Sequence, residues 1–399
     1  MIRHAAALAA ASSLVFPFVS VAQASPELEE LKAQVAALNQ KILDMEAREA
    51  ARARAEAPVA PAAAAVTADA GTAKTTSWTD RIAVNGDFRY RSDGTDDEGK
   101  QYVGLQRLRA RLFVDGKVND TTNVVMQLGT GGFNPRSQDA TLSGDGSSKE
   151  VTLRQAYVNW RPVDDVALTA GKLPTPWALN PIDYFHDSDY YPEGIAARYG
   201  ATTGFHASGF WLQLAERGGD DETSMLGTQL GYASNLFFAN VAYQDFQKIE
   251  GYNPCFNGNC NGNTVDLAGN LVNDYNLLQV RGGVMLAGVS LFASWAQNLE
   301  ADDEDTAYSV GLSYGRLKDP GSWSVGALYQ DVEKDALYGG MFDGTFAGGR
   351  TANDGYVLSG AYGFSKNWSG SLLWFINEVD KTGNPHDYDR YQLDLLWKF

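Results

Sequence analysis

The sequence predicts an all-β membrane protein, a 16-stranded antiparallel transmembrane β-barrel preceded by a short N-terminal coiled-coil helix. Three observations lead there. The chain ends Tyr391-Gln-Leu-Asp-Leu-Leu-Trp-Lys-Phe399, where odd positions are aromatic or Leu and even positions, except Leu396, are polar. Such alternation gives a strand one oily and one wet face. It recurs along some 320 residues that contain no cluster of core helices to cover the oily faces, so the cover must be lipid. Finally, a closed sheet satisfies every backbone N–H and C=O internally. It therefore crosses a bilayer with segments of roughly ten alternating residues.

The N-terminal elements differ from the rest. Arg3, an apolar stretch from Ala5 to Val21 and the small-x-small triplet Ala22-Gln23-Ala24 define a secretory signal over residues 1–24, with the mature chain starting near Ser25. Pro17, two serines and the polar region that follows argue against a membrane-spanning helix there, and no later stretch could span as one. Over residues 25–57, Leu28, Leu31, Val35, Leu38, Ile42 and Met45 recur at spacings of three and four, the a/d seam of a coiled coil lasting about three heptads. Branched residues at a with Leu at d do not fix the strand number, so any higher symmetry must come from the barrel. Residues 58–77 are Ala-rich, with Pro58, Pro61 and Gly71 and no periodicity, and read as a linker. The barrel occupies residues 78–399.

Composition excludes more than it selects. A hydrophobic fraction of 44% would suit a soluble protein equally well, because barrels alternate polar and apolar residues and hide from averages. A formal net charge of -17 argues against nucleic acid as a partner. The acids bunch in Asp96-Asp97-Glu98, Asp220-Asp221-Glu222 and Asp302-Asp303-Glu304-Asp305, each between strand-like segments. These are solvated loops, or carboxylates for divalent cations beside lipopolysaccharide. The two cysteines, Cys255 and Cys260, sit in one short Gly/Asn-rich stretch; in an exported chain they are expected to form a local disulfide pinning a long loop. No histidine lies near them to complete a zinc site.

Parity completes the strand count. Fifteen segments alternate clearly, but bacterial single-chain barrels have an even number, with short periplasmic turns and longer outer loops. Working back from Phe399 and forward from Ile82 leaves one descending strand missing after Lys172, and Gly194-Ile-Ala-Ala-Arg-Tyr-Gly200 is the candidate. The connection Leu173 to Glu193 then becomes the third outer loop, with four prolines and the acids Asp183, Asp187, Asp189 and Glu193. Its position resembles that of the loop which folds into the lumen of sixteen-stranded diffusion porins.

Period two also sorts the charges. In the second strand Leu108, Ala110, Leu112 and Val114 share a face, so Arg107, Arg109 and Arg111 share the other. A lipid-facing arginine costs about 2 to 4 kcal/mol near the midplane, so all three point into water. Arg89 and Arg91 do the same in the first strand, with Asn85 and Asp87. Two arrangements follow. The arginines pair with Asp87, Asp115 and Asp394 as a scaffold network, or they form one wall of a constriction opposite Asp183, Asp187, Asp189 and Glu193. The second would set a transverse field in a narrow neck that passes ions without binding them tightly. Trp160, Tyr232, Tyr314, Tyr362, Trp368 and Trp397 fall near strand ends, where amphipathic rings mark the membrane interface.

Leu153-Arg-Gln-Ala-Tyr-Val-Asn-Trp-Arg-Pro162, Leu168-Thr-Ala-Gly-Lys-Leu-Pro174, Asp189-Tyr-Tyr-Pro-Glu-Gly-Ile195 and the C-terminal aromatic, in that order, resemble the putative porin family of Gram-negative outer membranes. The resemblance implies passive diffusion of ions and small hydrophilic solutes, a homotrimer, and no cofactor. Phe399 resembles the signal read by the barrel-insertion machinery. An outer-membrane barrel with its coiled coil in the periplasm has lipid and lipopolysaccharide as surroundings. A substrate-specific anion or phosphate channel and a tether gripping periplasmic partners are the alternatives. Enzyme activity is not expected, since His186, His206 and His386 show no recognisable Ser/His spacing.

Overall fold

A computed structural model describes residues 78–177, 183–218 and 222–399. The signal peptide, coiled coil and linker assigned to residues 1–77, and Asp220 and Asp221 of the second acidic run, lie outside the described residues. Seventeen strands follow a 3-10 turn at Trp78–Arg81. They are β1 (Ile82–Asp97), β2 (Val103–Lys117), β3 (Thr122–Thr130), β4 (Ala140–Thr141), β5 (Val151–Val163), β6 (Val166–Lys172), β7 (Glu193–Tyr199), β8 (Gly204–Ala215) and β9 (Thr223–Ala233). The second half holds β10 (Phe237–Gln247), β11 (Asn276–Leu286), β12 (Val289–Asn298), β13 (Thr306–Gly315), β14 (Trp323–Val332), β15 (Asn353–Ser365), β16 (Trp368–Val379) and β17 (His386–Lys398).

Each long strand pairs antiparallel with the next and β17 returns to β1, so sixteen strands close into a barrel. The seventeenth, β4, is a two-residue piece of the loop after β3. It pairs with Arg107 and Leu108 of β2 above the point where β3 ends. Parity located the missing strand correctly: β7 covers residues 193–199 and joins β6 to β8. The sequence underestimated β1, which continues six residues past Arg91 to Asp97 because Gly94 and Thr95 still pair with Gly104 and Val103.

Alternation decides which face meets lipid. Val84, Phe88 and Tyr90 on β1, Val124, Met126 and Leu128 on β3, and Tyr391 and Leu393 on β17 are exposed outward. Their inward neighbours Asp87, Arg91, Gln127, Arg390, Gln392 and Asp394 are buried. An apolar exterior over a polar interior is the inverse of a soluble core and places the barrel in a membrane. At the short-turn end the rings form a belt. Tyr232 stacks on Phe237 at 5.5 Å, Tyr314 meets Trp323 at 5.6 Å, and Phe364, Trp368, Trp397 and Phe88 run across the seam at 4.6 to 5.9 Å.

The connections at the other end are long, and several turn inward. The third outer loop (residues 173–192) is anchored at its neck by Leu173 N–H donating to the Pro192 carbonyl at 2.8 Å. The fifth (248–275) carries the Cys255–Cys260 disulfide, with Cα atoms 5.1 Å apart. The seventh (333–352) packs against both. Tyr275, Phe246 and Tyr338 meet edge to face at 5.4 to 6.0 Å, and Asp335 accepts from Thr264 and the Tyr275 hydroxyl. These rings are buried apolar material inside the mouth of the barrel.

The seam itself makes a sharp prediction. Gly86 and Phe399 exchange two backbone hydrogen bonds of 3.0 Å, and a Cβ at Gly86 would strike the Arg111 carbonyl and the Phe399 ring. Overpacking of this kind costs about 1 to 3 kcal/mol. Gly86→Val should therefore lower the temperature at which the folded band converts to the unfolded one on a heat-modifiability gel, whereas Gly360→Val, where a Cβ meets nothing within 4 Å, should shift it much less.

Candidate pore constriction

The register of β1 on β2 sets guanidiniums opposite one another. Arg89 faces Arg109 and Arg91 faces Arg107, both pairs on the lumenal side. Like charges directly opposite destabilise a sheet, so this block of four requires carboxylates around it. Asp87, opposite Arg111, accepts from Arg111 Nη2 at 2.6 Å and Nε at 2.9 Å, and from Arg109 at 3.4 Å. Asp394, opposite Arg91 across the seam, takes Arg91 Nε and Nη2 at 2.6 and 2.7 Å. Asp93 holds Arg390 of β17 at 2.8 and 2.6 Å and has Arg107 at 3.4 Å. Of the three acids read from sequence as scaffold partners, Asp115 is not one, since it accepts from Asn123.

The fourth side comes from a loop. Asp139, in the second outer loop (131–150), accepts from Arg89 at 2.6 Å and Arg91 at 3.4 Å. Burial opposes its ionisation, but the two guanidiniums more than offset that and hold its carboxyl below the usual range. Arg154 of β5 positions this loop by donating to the carbonyls of Gly132, Asn134 and Ser137 at 2.9 to 3.3 Å. Arg136, two residues before Gln138, reaches the seventh loop, where it donates to the carbonyls of Phe342 and Gly349 at 3.0 and 2.7 Å and to Asn261.

The third loop crosses the lumen and docks on the far wall. Asp183 binds Arg281 of β11 at 2.9 Å and Ser294 of β12 at 2.7 Å. Tyr184 N–H donates to Gln330 of β14, and His186 pairs with Gln279 at 3.1 Å. Burial, and then the charge of Arg281, push the His186 pKa down to about 3, so this ring is neutral. Asp187 turns towards the seventh loop and accepts from Gly344 N–H and Asp189 N–H, both at 2.7 Å. Asp189 points back to the arginine wall. It accepts from Gln138 at 2.7 Å and stands 4.0 Å from Arg109.

Between wall and loop lies a cavity of about 500 Å³ whose lining includes Arg89, Arg91, Arg107 and Arg109 together with Asp139, Asp187 and Asp189. A larger one of about 970 Å³ opens at the turn end, beside Asp115, Lys117, Arg198 and Pro174 to Pro176. The four loop acids named from sequence thus divide. Asp187 and Asp189 reach the arginine side, Asp183 anchors the opposite side, and Glu193 leaves the group. Glu193 shares the outward parity of Ile195 and pairs with Lys172 at 2.9 Å on the outer surface. Arg390 faces the lumen by the parity of β17 and Asp93 would have joined it had β1 been extended, though neither reading names them as partners, whereas Arg136, Asp139 and Asp343 lie in loops without periodicity. Among the described residues no group of three or more His, Cys, Asp or Glu is placed to hold a metal ion.

A closed sheet with an apolar exterior, a charged interior and an infolded loop defines a porin of the bacterial outer membrane. The chain matches the family described as "Putative porin" over residues 95–264 and 262–399, and it belongs to that family. A triple mutant of the Rhodopseudomonas blastica porin is similar in fold, with TM-score 0.53 and 12% identity over 80% of this chain and 100% of that one. A mutant of the same porin with five substitutions gives the same figures. No curated protein matches the chain.

One contact in this site is sensitive to pH. Burial, then the charges of Asp343 and Asp189, push the Asp187 carboxyl well above the usual range, and burial also raises Asp343. A carboxyl raised in the folded state contributes stability at low pH that is lost as pH rises through its elevated pKa. Hydrogen exchange of amides 183–190, corrected for intrinsic rates, should therefore accelerate as pH is raised above the ordinary Asp range. Asp343→Asn keeps one oxygen to accept from Thr345 and Phe346 N–H, both of which donate to the same Asp343 oxygen, and removes the repulsion; it should blunt that acceleration.

Proposed function

We propose that the protein is a general-diffusion porin for ions and small hydrophilic solutes, in which the arginine wall of β1, β2 and β17 and the acids Asp187 and Asp189 of the third loop form the constriction. The observation that carries this reading is the cavity between them: charges of opposite sign face each other across a space of about 500 Å³. In a low-dielectric neck such an arrangement sustains a transverse field, which turns dipolar solutes and lets ions pass beside fixed charges. Most guanidiniums are tied to carboxylates, so the wall is rigid, and rigidity favours a fixed field over induced closure. The two arrangements the sequence left open, scaffold network and constriction, are here compatible: pairing holds the groups in place and the unspent part of their charge faces the solute.

The remaining parts of the reading rest on the family. They are a homotrimer surrounded by lipid and lipopolysaccharide, insertion by machinery that recognises Phe399, and a coiled coil over residues 25–57 standing in the periplasm behind a linker at 58–77. Deleting residues 26–57 should leave channels that conduct.

Planar-bilayer recording tests the central claim. The protein should give stable ohmic channels, and a tether would give none. Replacing Arg107, Arg109 and Arg111 by Gln removes positive potential from the neck and should move the reversal potential in a KCl gradient towards cation preference. Asp189→Asn should move it the opposite way; Asp187→Asn, at a carboxyl whose ionisation burial opposes, should add to that shift only as pH rises through its raised pKa, and Glu193→Gln, on the outer surface, should leave it in place. Unchanged selectivity in both lumenal sets would show that the field lies elsewhere in the barrel.

A further inference from the structure

The carboxylates of the arginine wall are unevenly shared. Arg111 chelates Asp87, Arg91 chelates Asp394 and Arg390 chelates Asp93, each with at least two contacts of 2.6 to 2.9 Å. Arg89 takes Asp139 at 2.6 Å. Arg107 and Arg109 are left with second claims on carboxylates already held, Asp93 and Asp87, each at 3.4 Å. Asp189 adds only a 4.0 Å approach to Arg109. The Nε atoms of both are buried without a hydrogen bond, as is that of Arg89, and Arg107 Nε is the atom 3.4 Å from Asp93; Arg109 is 9% exposed.

This is an unusual state for a guanidinium. Five N–H donors in a fixed fork match an oxyanion bidentately, and a buried donor left unpaired costs about 1 to 3 kcal/mol. Arg107 and Arg109 stand two residues apart on one strand, so their forks project side by side into the same cavity of about 500 Å³. That volume lies within the usual range for small-ligand sites, about 300 to 1,000 Å³. Arg136 also lines it, and the hydrogen bonds of that guanidinium go to carbonyls and an amide rather than to a carboxylate. Carboxylates of the lining, Asp139 and Asp189 among them, oppose an anion in the same space, which keeps retention weak. A permeation site needs that weakness, since a solute must leave as readily as it enters.

We propose that Arg107 and Arg109 form an oxyanion subsite at the constriction, which transiently holds the carboxylate or phosphoryl group of a small hydrophilic solute between their two guanidiniums. The proposal rests on the porin reading and adds to it a class of favoured solute. Bound there, the oxyanion oxygens would accept from donors that Asp87 and Asp93 leave unused, and the solute would pass the neck by exchanging water for guanidinium contacts.

Single-channel KCl current, recorded with inorganic phosphate or succinate added to both sides, separates the outcomes. Expected is a saturable fall in chloride current with at least one of the two; phosphate alone names the phosphoryl group, succinate alone the carboxylate. Arg107→Lys with Arg109→Lys keeps the charge and loses the fork, so it should raise the half-blocking concentration about tenfold, as the loss of one charge-assisted hydrogen bond would. The carboxylates flanking these positions keep Arg111 and Arg390, so the wall survives the change. A saturable block that is the same in the Lys variant would overturn the subsite, as would no block by either anion in a conducting channel; the porin reading would stand in both cases. Absence of any channel in the unaltered protein would instead sink the porin reading and the subsite with it.

Discussion

Everything in this molecule follows from the cost of an unpaired peptide group in hydrocarbon. Each such group is worth several kcal/mol, so a sheet in a bilayer must close on itself. Closure here is made by β1 and β17, down to the hydrogen bonds between Gly86 and Phe399. Once the sheet is closed, pleating leaves each side chain only two destinations. Lipid accepts Val, Leu and aromatic rings, and the lumen takes whatever is too polar for lipid. The arginines of β2 are in the pore for this reason before any question of function arises.

Placing them there creates a second constraint. Two antiparallel strands with arginines in register bring Arg89 against Arg109 and Arg91 against Arg107. The wall resolves the repulsion with Asp87, Asp93, Asp394 and, from a loop, Asp139. Bidentate pairs give rigidity as well as charge balance, and rigidity is what a fixed transverse field requires. The balance is incomplete at Arg107 and Arg109, which hold only second claims of 3.4 Å on carboxylates already paired.

A sixteen-stranded wall encloses more space than its own inward side chains fill. The loops therefore act as interior. Two arginines do similar work: Arg154 gathers three carbonyls of the second loop, and Arg136 reaches from that loop to the carbonyls of the seventh. The third loop is held between them and the far wall by Asp183, His186 and Asp187. Aromatic packing among Phe246, Tyr275 and Tyr338 stiffens the mouth above. Loop geometry, and not strand number alone, thus shapes the space inside the barrel.

The sequence by itself determined the class of fold, the strand count and the facing of the residues it read on β1, β2 and β17, because period two and the even-number rule are constraints that need no knowledge of which residues touch. Parity gave residues 194–200 as a strand although their own alternation is weak, one residue out of step with β7 at each end. The lumenal position of Arg89, Arg91, Arg107, Arg109 and Arg111 was legible for the same reason. What only the tertiary structure decided was partnership. Period two says that an arginine faces water and does not say which carboxylate meets it, so Asp139, Asp93 and Arg390 emerged only with the register and the loops. Glu193 shows the limit clearly: it closes the acidic loop in sequence, yet as the first residue of β7 it takes the outward parity of Ile195 and leaves the pore to Asp187 and Asp189. Aperiodic loops carry no facing rule, and their placement is fixed by long-range hydrogen bonds that no local pattern encodes.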